Sequence, residues 1–311
     1  VIDIVASSSR EIIRQGSTSF AAAARLFNSR TRDDASMLYA WCRYCDDQID
    51  GQVLGHGSIG LEPEQAAERL AVLGQKTRAA LAGEDMSGDH VFEAFQRVAL
   101  RHEIPERHPI DLLHGFGMDV AGQGYDTLND VLLYAYHVAG VVGVMMAMIM
   151  GVRDSETLRR AADLGLGLQL TNIARDVMDD AAGGRVYLPR DWLREEGVPD
   201  GGITNPAYRN AVFAVTRRLL DAAEPYYDSA RWGLRRLPAR SAWAIAAARG
   251  LYREIGRNVA RGGGAGMDRR ATVGKSARVL QVLIGGLVAG RATTLDRLAS
   301  PRRPLDLWSK F

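Results

Sequence analysis

Alternating apolar and polar residues, the pattern of a half-buried strand, are nearly absent from this chain, which argues against sheet-based architectures. Cysteine is scarce as well: only Cys42 and Cys45 occur. A redox Cys-x-x-Cys pair opens a helix after a strand, and a structural zinc site needs further ligands. Both thiols fall inside an apolar helical stretch with no second pair, so they read as packing groups in a reducing cytosol. Charge of one sign is lacking too. The 39 Lys and Arg against 37 Asp and Glu leave a net charge of +2, too mild to imply a nucleic-acid partner. The start, Val1-Ile2-Asp3, has no basic segment followed by a long apolar one, so no cleavable leader is expected. There is no fixed-period repeat. The glycine-rich breaks at 51–60, 183–184, 201–202 and 262–266 are too short to divide the chain, and one domain over residues 1–311 is expected.

Familiar enzyme signatures also fail. Gly165-Leu166-Gly167 would need glycine at position 170 to bind a dinucleotide, and Leu170 stands there with no strand before it. Gly274-Lys275-Ser276 resembles the end of a P-loop, but Arg269 replaces the required first glycine. His102-Glu103 begins a zincin motif that stops at Glu106, and no Gly-x-Ser-x-Gly elbow occurs.

Helical periodicity fills the space these absences leave. Apolar residues at spacings of three and four predict helices over 4–27, 32–51, 63–82, 88–101, 107–123, 128–151, 155–182, 205–231, 238–261 and 272–298. Thr127 and Ser155 read as N-caps for two of them. The expected fold is all-α. One long hydrophobic run competes with a water-soluble reading: Val131 to Gly151 holds 21 residues without Asp, Glu, Lys or Arg, enough to span a bilayer. It also contains Tyr134, Tyr136, His137 and three glycines, and its flanks show no strong Lys/Arg asymmetry. It is therefore read as a buried central helix, whose Ala139, Gly140, Gly143 and Ala147 leave room for a ligand in a central apolar cavity.

Two predicted helices carry aspartates four residues apart, Asp46/Asp50 and Asp176/Asp180. Residues i and i+4 share a helical face, so each pair forms a carboxylate pincer. Tyr39 and Arg43 share the first face; Gln169 and Asn172 share the second. On a solvated helix such pairs cost only about 0.2–0.5 kcal/mol, so two surface patches are the competing reading. Dense interleaving with Trp, Leu and Tyr favours burial. If the pincers are partly buried, carboxylates about 6 Å apart repel by roughly 3 kcal/mol at an effective dielectric of 20, and cations are needed. Carboxylates without nearby His or Cys favour Mg²⁺, with Mn²⁺ second, bridging to a diphosphate that Arg43, Arg175 and Tyr187 hydrogen-bond. Ionisation of that diphosphate would leave a carbocation to be kept from water, with Tyr or Phe faces stabilising it.

The strings themselves are similar to a known family. Tyr39-Ala40-Trp41-Cys42-Arg43-Tyr44-Cys45-Asp46-Asp47-Gln48-Ile49-Asp50 resembles the first aspartate-rich signature of the squalene and phytoene synthases. The stretch from Gln169 to Asp180, with Gly184-Arg185-Val186-Tyr187-Leu188-Pro189, resembles the second. Tyr136-His137-Val138-Ala139-Gly140-Val141-Val142-Gly143 and Ser17-Thr18-Ser19-Phe20 resemble the family's central helix and N-terminal segment. The likeness covers about residues 15–275 and is greatest to the bacterial phytoene-forming members.

This resemblance implies the all-α isoprenoid-synthase fold and head-to-head joining of two geranylgeranyl diphosphates. The path would run through prephytoene diphosphate to phytoene and two diphosphates, in carotenoid biosynthesis. No NADPH would be needed, whereas squalene synthases use it to quench the last cation. By matching position Asp46, Asp50, Asn172, Asp176 and Asp180 would bind the metal. Tyr39, Arg43, Gln169, Arg175, Tyr187 and Tyr252 would meet diphosphate or the cyclopropyl intermediate. Arg270 would close over a phosphate, and Phe20 would line the tail cavity. Thr18 departs from the pattern, since many relatives carry a basic residue there. The alternatives are a squalene or dehydrosqualene synthase acting on farnesyl diphosphate, a terpene cyclase or chain-elongating prenyltransferase, and a non-catalytic lipid-binding relative. A cytoplasmic protein touching a membrane peripherally is expected, with a small contribution from Arg302, Arg303 and Lys310 unless these are simply solvated.

Overall fold

The computed structural model describes Ser9 and residues 23–51, 62–299 and 301–310. Among the described residues there are eleven complete α-helices and no β-strand. In chain order they are α1 (Ser29–Asp50), α2 (Pro63–Leu81), α3 (His90–Arg101), α4 (Arg107–Val120), α5 (Leu128–Ala135), α6 (Val141–Ile149), α7 (Ser155–Ala182), α8 (Arg190–Glu195), α9 (Arg209–Gly233), α10 (Ala239–Gly266) and α11 (Lys275–Thr293). The largest buried apolar cluster takes residues from Ala24 to Leu307, with Trp41 stacked on Phe95 at 4.2 Å between ring centroids. The predicted helix over 4–27 lies almost wholly outside the described residues, as do Phe20 and the break at 52–60.

Local chemistry sets the helix ends. Asn28 caps α1 by accepting from the Thr31 N–H. At its far end Gly51, at φ 63°, turns the chain left-handed and donates its N–H to the Asp47 carbonyl. Thr127 and Asp130 form a reciprocal capping box on α5. For α7 the cap is Asp154 rather than Ser155: its carboxylate accepts from the Thr157 N–H at 2.9 Å. The break expected at 262–266 is a kink within α10, confined to Gly263 (φ 62°, ψ −169°).

The long apolar run is not one uninterrupted α-helix. Tyr136–Gly140 form a π-turn between α5 and α6. Here His137 Nδ1–H donates to the Asp111 carbonyl at 2.7 Å. Gly115 of α4 also sits so close that a Cβ there would lie 2.7 Å from Val138 Cγ1. The wider turn fits α4 against this segment. Within Leu128–Ile149, 72% of the most apolar 18-residue stretch is buried, so its apolarity faces mainly protein.

Ala139, Gly140 and Gly143 of this run lie against the backbone of α7, while Ala139 and Gly143 keep part of their surface open. A Cβ on Gly143 would lie 2.3 Å from the Ala161 carbonyl oxygen, and one on Gly165 would lie 2.3 Å from the Ala139 oxygen. They allow α7 to pack backbone to backbone on the central segment. Gly167 meets the Tyr227 ring at 3.2 Å by the same measure, which explains the incomplete glycine motif as packing. His102, from the broken zincin motif, binds buried Asp34 at 2.8 Å together with Arg101 at 2.5 Å. Burial raises the Cys42 and Cys45 thiols above their ordinary range, as packing thiols require. Near the end of the chain Arg303 forks onto buried Asp163 at 2.7 and 2.8 Å, and Lys310 pairs with Asp111 at 2.6 Å. Arg303 therefore faces inward, Lys310 is paired although exposed, and only Arg302 of the three is exposed without such a partner carboxylate.

Candidate active site

On α1 the spacing works as read. Arg43 reaches one turn forward to Asp46 at 3.1 Å and to Asp47 at 2.8 Å. Asp47 is thereby covered, and Asp46 and Asp50 are left as the pincer. Burial lifts the Asp46 carboxyl to about 7, with the charges of Asp50, Asp47 and Asp119 adding to it and Arg43 opposing. Tyr39 is half-buried, and desolvation pushes its hydroxyl up to about 12.

On α7 the second face carries Gln169, Asn172, Asp176 and Asp180. Asp176 is held by Arg175, whose Nε donates at 2.8 Å and whose Nη2 also donates. Arg270, from the turn after α10, grips the same carboxylate at 2.9 and 3.0 Å. Burial alone would raise Asp176, but these arginine hydrogen bonds outweigh it and bring it below the usual range. Asp180 goes the other way, to about 7, through burial and the neighbouring charges of Asp176, Asp179 and Asp119. Asn172 donates to Gln169 at 3.3 Å, while its own Oδ1 is buried without a hydrogen-bond partner.

The two faces meet. Arg185, in the turn after α7, donates to Asp50 of α1 at 2.6 Å and its charge also acts on Asp180. Asp119, at the end of α4, raises both Asp46 and Asp180. It accepts from Tyr187 at 2.8 Å and from Tyr134 at 2.9 Å, two rings stacked 4.9 Å apart. Burial raises Asp119 in spite of those two donors. Tyr252 of α10 bridges the other side, acting on Tyr39 while feeling Arg175, Asp176 and Arg270. A small cleft lined by Ile173, Val177, Asp180, Arg185, Tyr187 and Leu188 opens beside the second pincer.

Sequence reasoning singled out Tyr39, Arg43, Asp46, Asp50, Gln169, Asn172, Arg175, Asp176, Asp180, Tyr187, Tyr252 and Arg270, and the structure gathers them in this region. It missed Asp119 and Tyr134, and gave Arg185 no role although it stands in a quoted motif. The one available signal for Asp119 was a lone acid closing an otherwise apolar helical face. A different group, Asp111, His114 and His137, has ligand atoms within 4.8 Å of one another but includes none of the pincer aspartates.

The described residues form an all-helical fold in which two aspartate-bearing helices face each other, linked by Arg185. The chain belongs to the squalene/phytoene synthase family, whose pattern matches residues 13–277. It is 48% identical over 300 residues to a 15-cis-phytoene synthase of Pantoea ananas, covering 96% of each chain. A 15-cis-phytoene synthase of a Paracoccus species is 51% identical over 291 residues, 93% of each chain. Among solved structures, a dehydrosqualene synthase superposes with a TM-score of 0.79 at 24% identity, covering 90% of this chain and 95% of that one. That likeness speaks for the fold.

Proposed function

We propose that this chain is a phytoene synthase, a prenyltransferase that joins two geranylgeranyl diphosphates head to head without a reductant. The observation that carries the reading is the convergence of both aspartate helices on Asp119 and Arg185. The similarity to proteins named phytoene synthase over nearly the whole chain supports the substrate class. A single domain over residues 1–311 belongs to the same reading, supported by one buried apolar cluster running from Ala24 to Leu307.

The residues present fit divalent magnesium. The donor set is all oxygen, from Asp46, Asp50, Asp176 and Asp180 with the unpartnered Asn172 Oδ1. Two of those carboxyls are lifted to about 7, because burial and the neighbouring carboxylates outweigh Arg43 at Asp46 and Arg185 at Asp180. Bound Mg²⁺ would supply Lewis-acid stabilisation of the departing diphosphate. The chain's own groups do the rest. Arg43, Arg175, Arg185 and Arg270 would bind phosphate oxygens. Tyr187 and Tyr134 hold Asp119 in position through their hydroxyls. Tyr39 and Tyr252, both with hydroxyls kept protonated by burial, offer ring faces and neutral donors beside the reacting carbon. Phe20 is proposed to meet the prenyl tail. The buried methionines of the central segment, Met145, Met146 and Met148, help to keep water from a cation formed there. Cytoplasmic location with peripheral membrane contact completes the proposal.

The test is product analysis by gas chromatography after the purified chain is given C15 or C20 diphosphate with Mg²⁺ and no reductant. A C40 hydrocarbon from the C20 substrate is expected. A cyclised monomeric product, or a strict need for NADPH, would sink the reading.

A further inference from the structure

The helix α11 is built inside out for a helix facing water. Its buried side carries Gln281, Gly285, Ala289 and Ala292. Val279, Leu280, Leu283, Ile284 and Leu287 lie on the opposite side, exposed from 40% for Ile284 to 77% for Leu287. Their spacing of one, three and four places them on one stripe. An ordinary surface helix would reverse these positions. The inner side is fixed by close contact: a Cβ on Gly285 would lie 2.7 Å from the Ala247 backbone nitrogen of α10. Thus the stripe is displayed on a rigid support and cannot turn inward.

Charge identifies the occupant. The stretch Lys275–Thr293 contains Lys275, Arg278 and Arg291 and no acidic residue. Beyond it, Leu295 and Leu298 are exposed at 79% and 96% beside Arg297, while the Asp296 carboxylate between them turns back to Arg291 and Arg231 and leaves Lys275, Arg278 and Arg297 as the basic flank. Apolar residues flanked by basic ones are the pattern of a helix lying in a lipid interface, with cations among anionic headgroups. We propose that α11 and the following turn dock this protein on a bilayer containing anionic phospholipid. The choice of lipid over a protein partner rests on the proposed prenyl-transfer reading, in which the product is a hydrocarbon. The location agrees: Arg270, which grips Asp176, precedes Lys275 by five residues, and α10 beneath the stripe carries Tyr252.

The experiment is flotation of the purified full chain with phosphatidylcholine vesicles, with or without phosphatidylglycerol. The wild type rises with the anionic vesicles and is released by salt. A Leu283→Gln/Leu287→Gln variant, altered only at exposed positions, loses about tenfold in bound fraction, and Lys275→Gln loses less. Prenyl transfer in detergent micelles remains at wild-type level in both variants. A wild type that is active in micelles yet ignores anionic vesicles overturns the docking surface while leaving the enzyme reading intact. Flotation that depends on the leucines, in a protein without transferase activity, upholds the surface and defeats the enzyme reading. A dimer on size-exclusion chromatography that the leucine variant dissolves, with vesicles ignored, would give the stripe to a second copy and overturn the proposal.

Discussion

Asp119 stands where the fields of both aspartate helices overlap, and its two tyrosine donors leave it no freedom to rotate. Replacing it with Asn keeps the shape but removes the charge between the pincers. Asp119→Asn is expected to lower turnover by about 10–100-fold, the usual cost of disturbing a metal site's supporting shell. Asp176→Asn removes a proposed ligand directly and is expected to abolish product, with the far-UV circular dichroism of both variants unchanged. Steady-state assays on the two proteins check the ordering; equal activities would remove Asp119 from the site. A second prediction concerns protons. Asp46 and Asp180 are lifted to about 7 in the fold, above the ordinary carboxylate value. The folded metal-free protein therefore binds more protons than the unfolded chain between about pH 4 and 7, and these two groups make stability fall as pH rises through that window. Asp46 keeps 36% of its side chain exposed, so solvent screening softens its share. Divalent metal must displace those protons, so Mg²⁺ affinity is expected to rise from pH 6 to pH 8. Calorimetry in buffers of different ionisation enthalpy will show proton release on binding; buffer-independent heats would contradict it.

At the level of elements, the crossing of α7 over the central segment depends on two glycines. Gly165→Ala would drive a methyl group into the Ala139 carbonyl. The expected loss is about 1–3 kcal/mol of stability, or a Tm lower by about 2–10 °C, measured by thermal denaturation. This crossing also shows what a sequence reader can and cannot extract. The i,i+4 aspartates are visible because a helix repeats in 3.6 residues and both members of each pair lie on one element. The π-turn at Tyr136–Gly140 is not, because a segment apolar on all sides has no phase to lose. Asp119 escaped for a related reason: its partners are Tyr134, 15 residues away, and Tyr187, 68 away, and nothing local marks the pairing. Arg185 and Asp50 are 135 residues apart, so their bond is a product of tertiary packing alone. Small residues on the central helix were legible as small, yet whether they face a ligand or another backbone is decided by the neighbouring helix.

Across the whole molecule, the segment 301–310 ties the end of the chain to the core through Arg303 and the buried Asp163. Arg303→Ala would strand that carboxylate and is expected to cost about 3–5 kcal/mol. Adding Asp163→Asn should recover part of the loss, which a double-mutant cycle in urea would read; full additivity would mean the pair contributes nothing. The same global arrangement of charge governs how the site fills. In the ligand-free fold four guanidiniums, Arg43, Arg175, Arg185 and Arg270, are already paired with the pincer aspartates or their neighbours. Under the proposed function an arriving diphosphate would draw the arginines away, and the carboxylates so released would become vacant for ions. Loading would then be a mutual exchange of counter-charges, in which magnesium and the prenyl diphosphate each strengthen the other's hold.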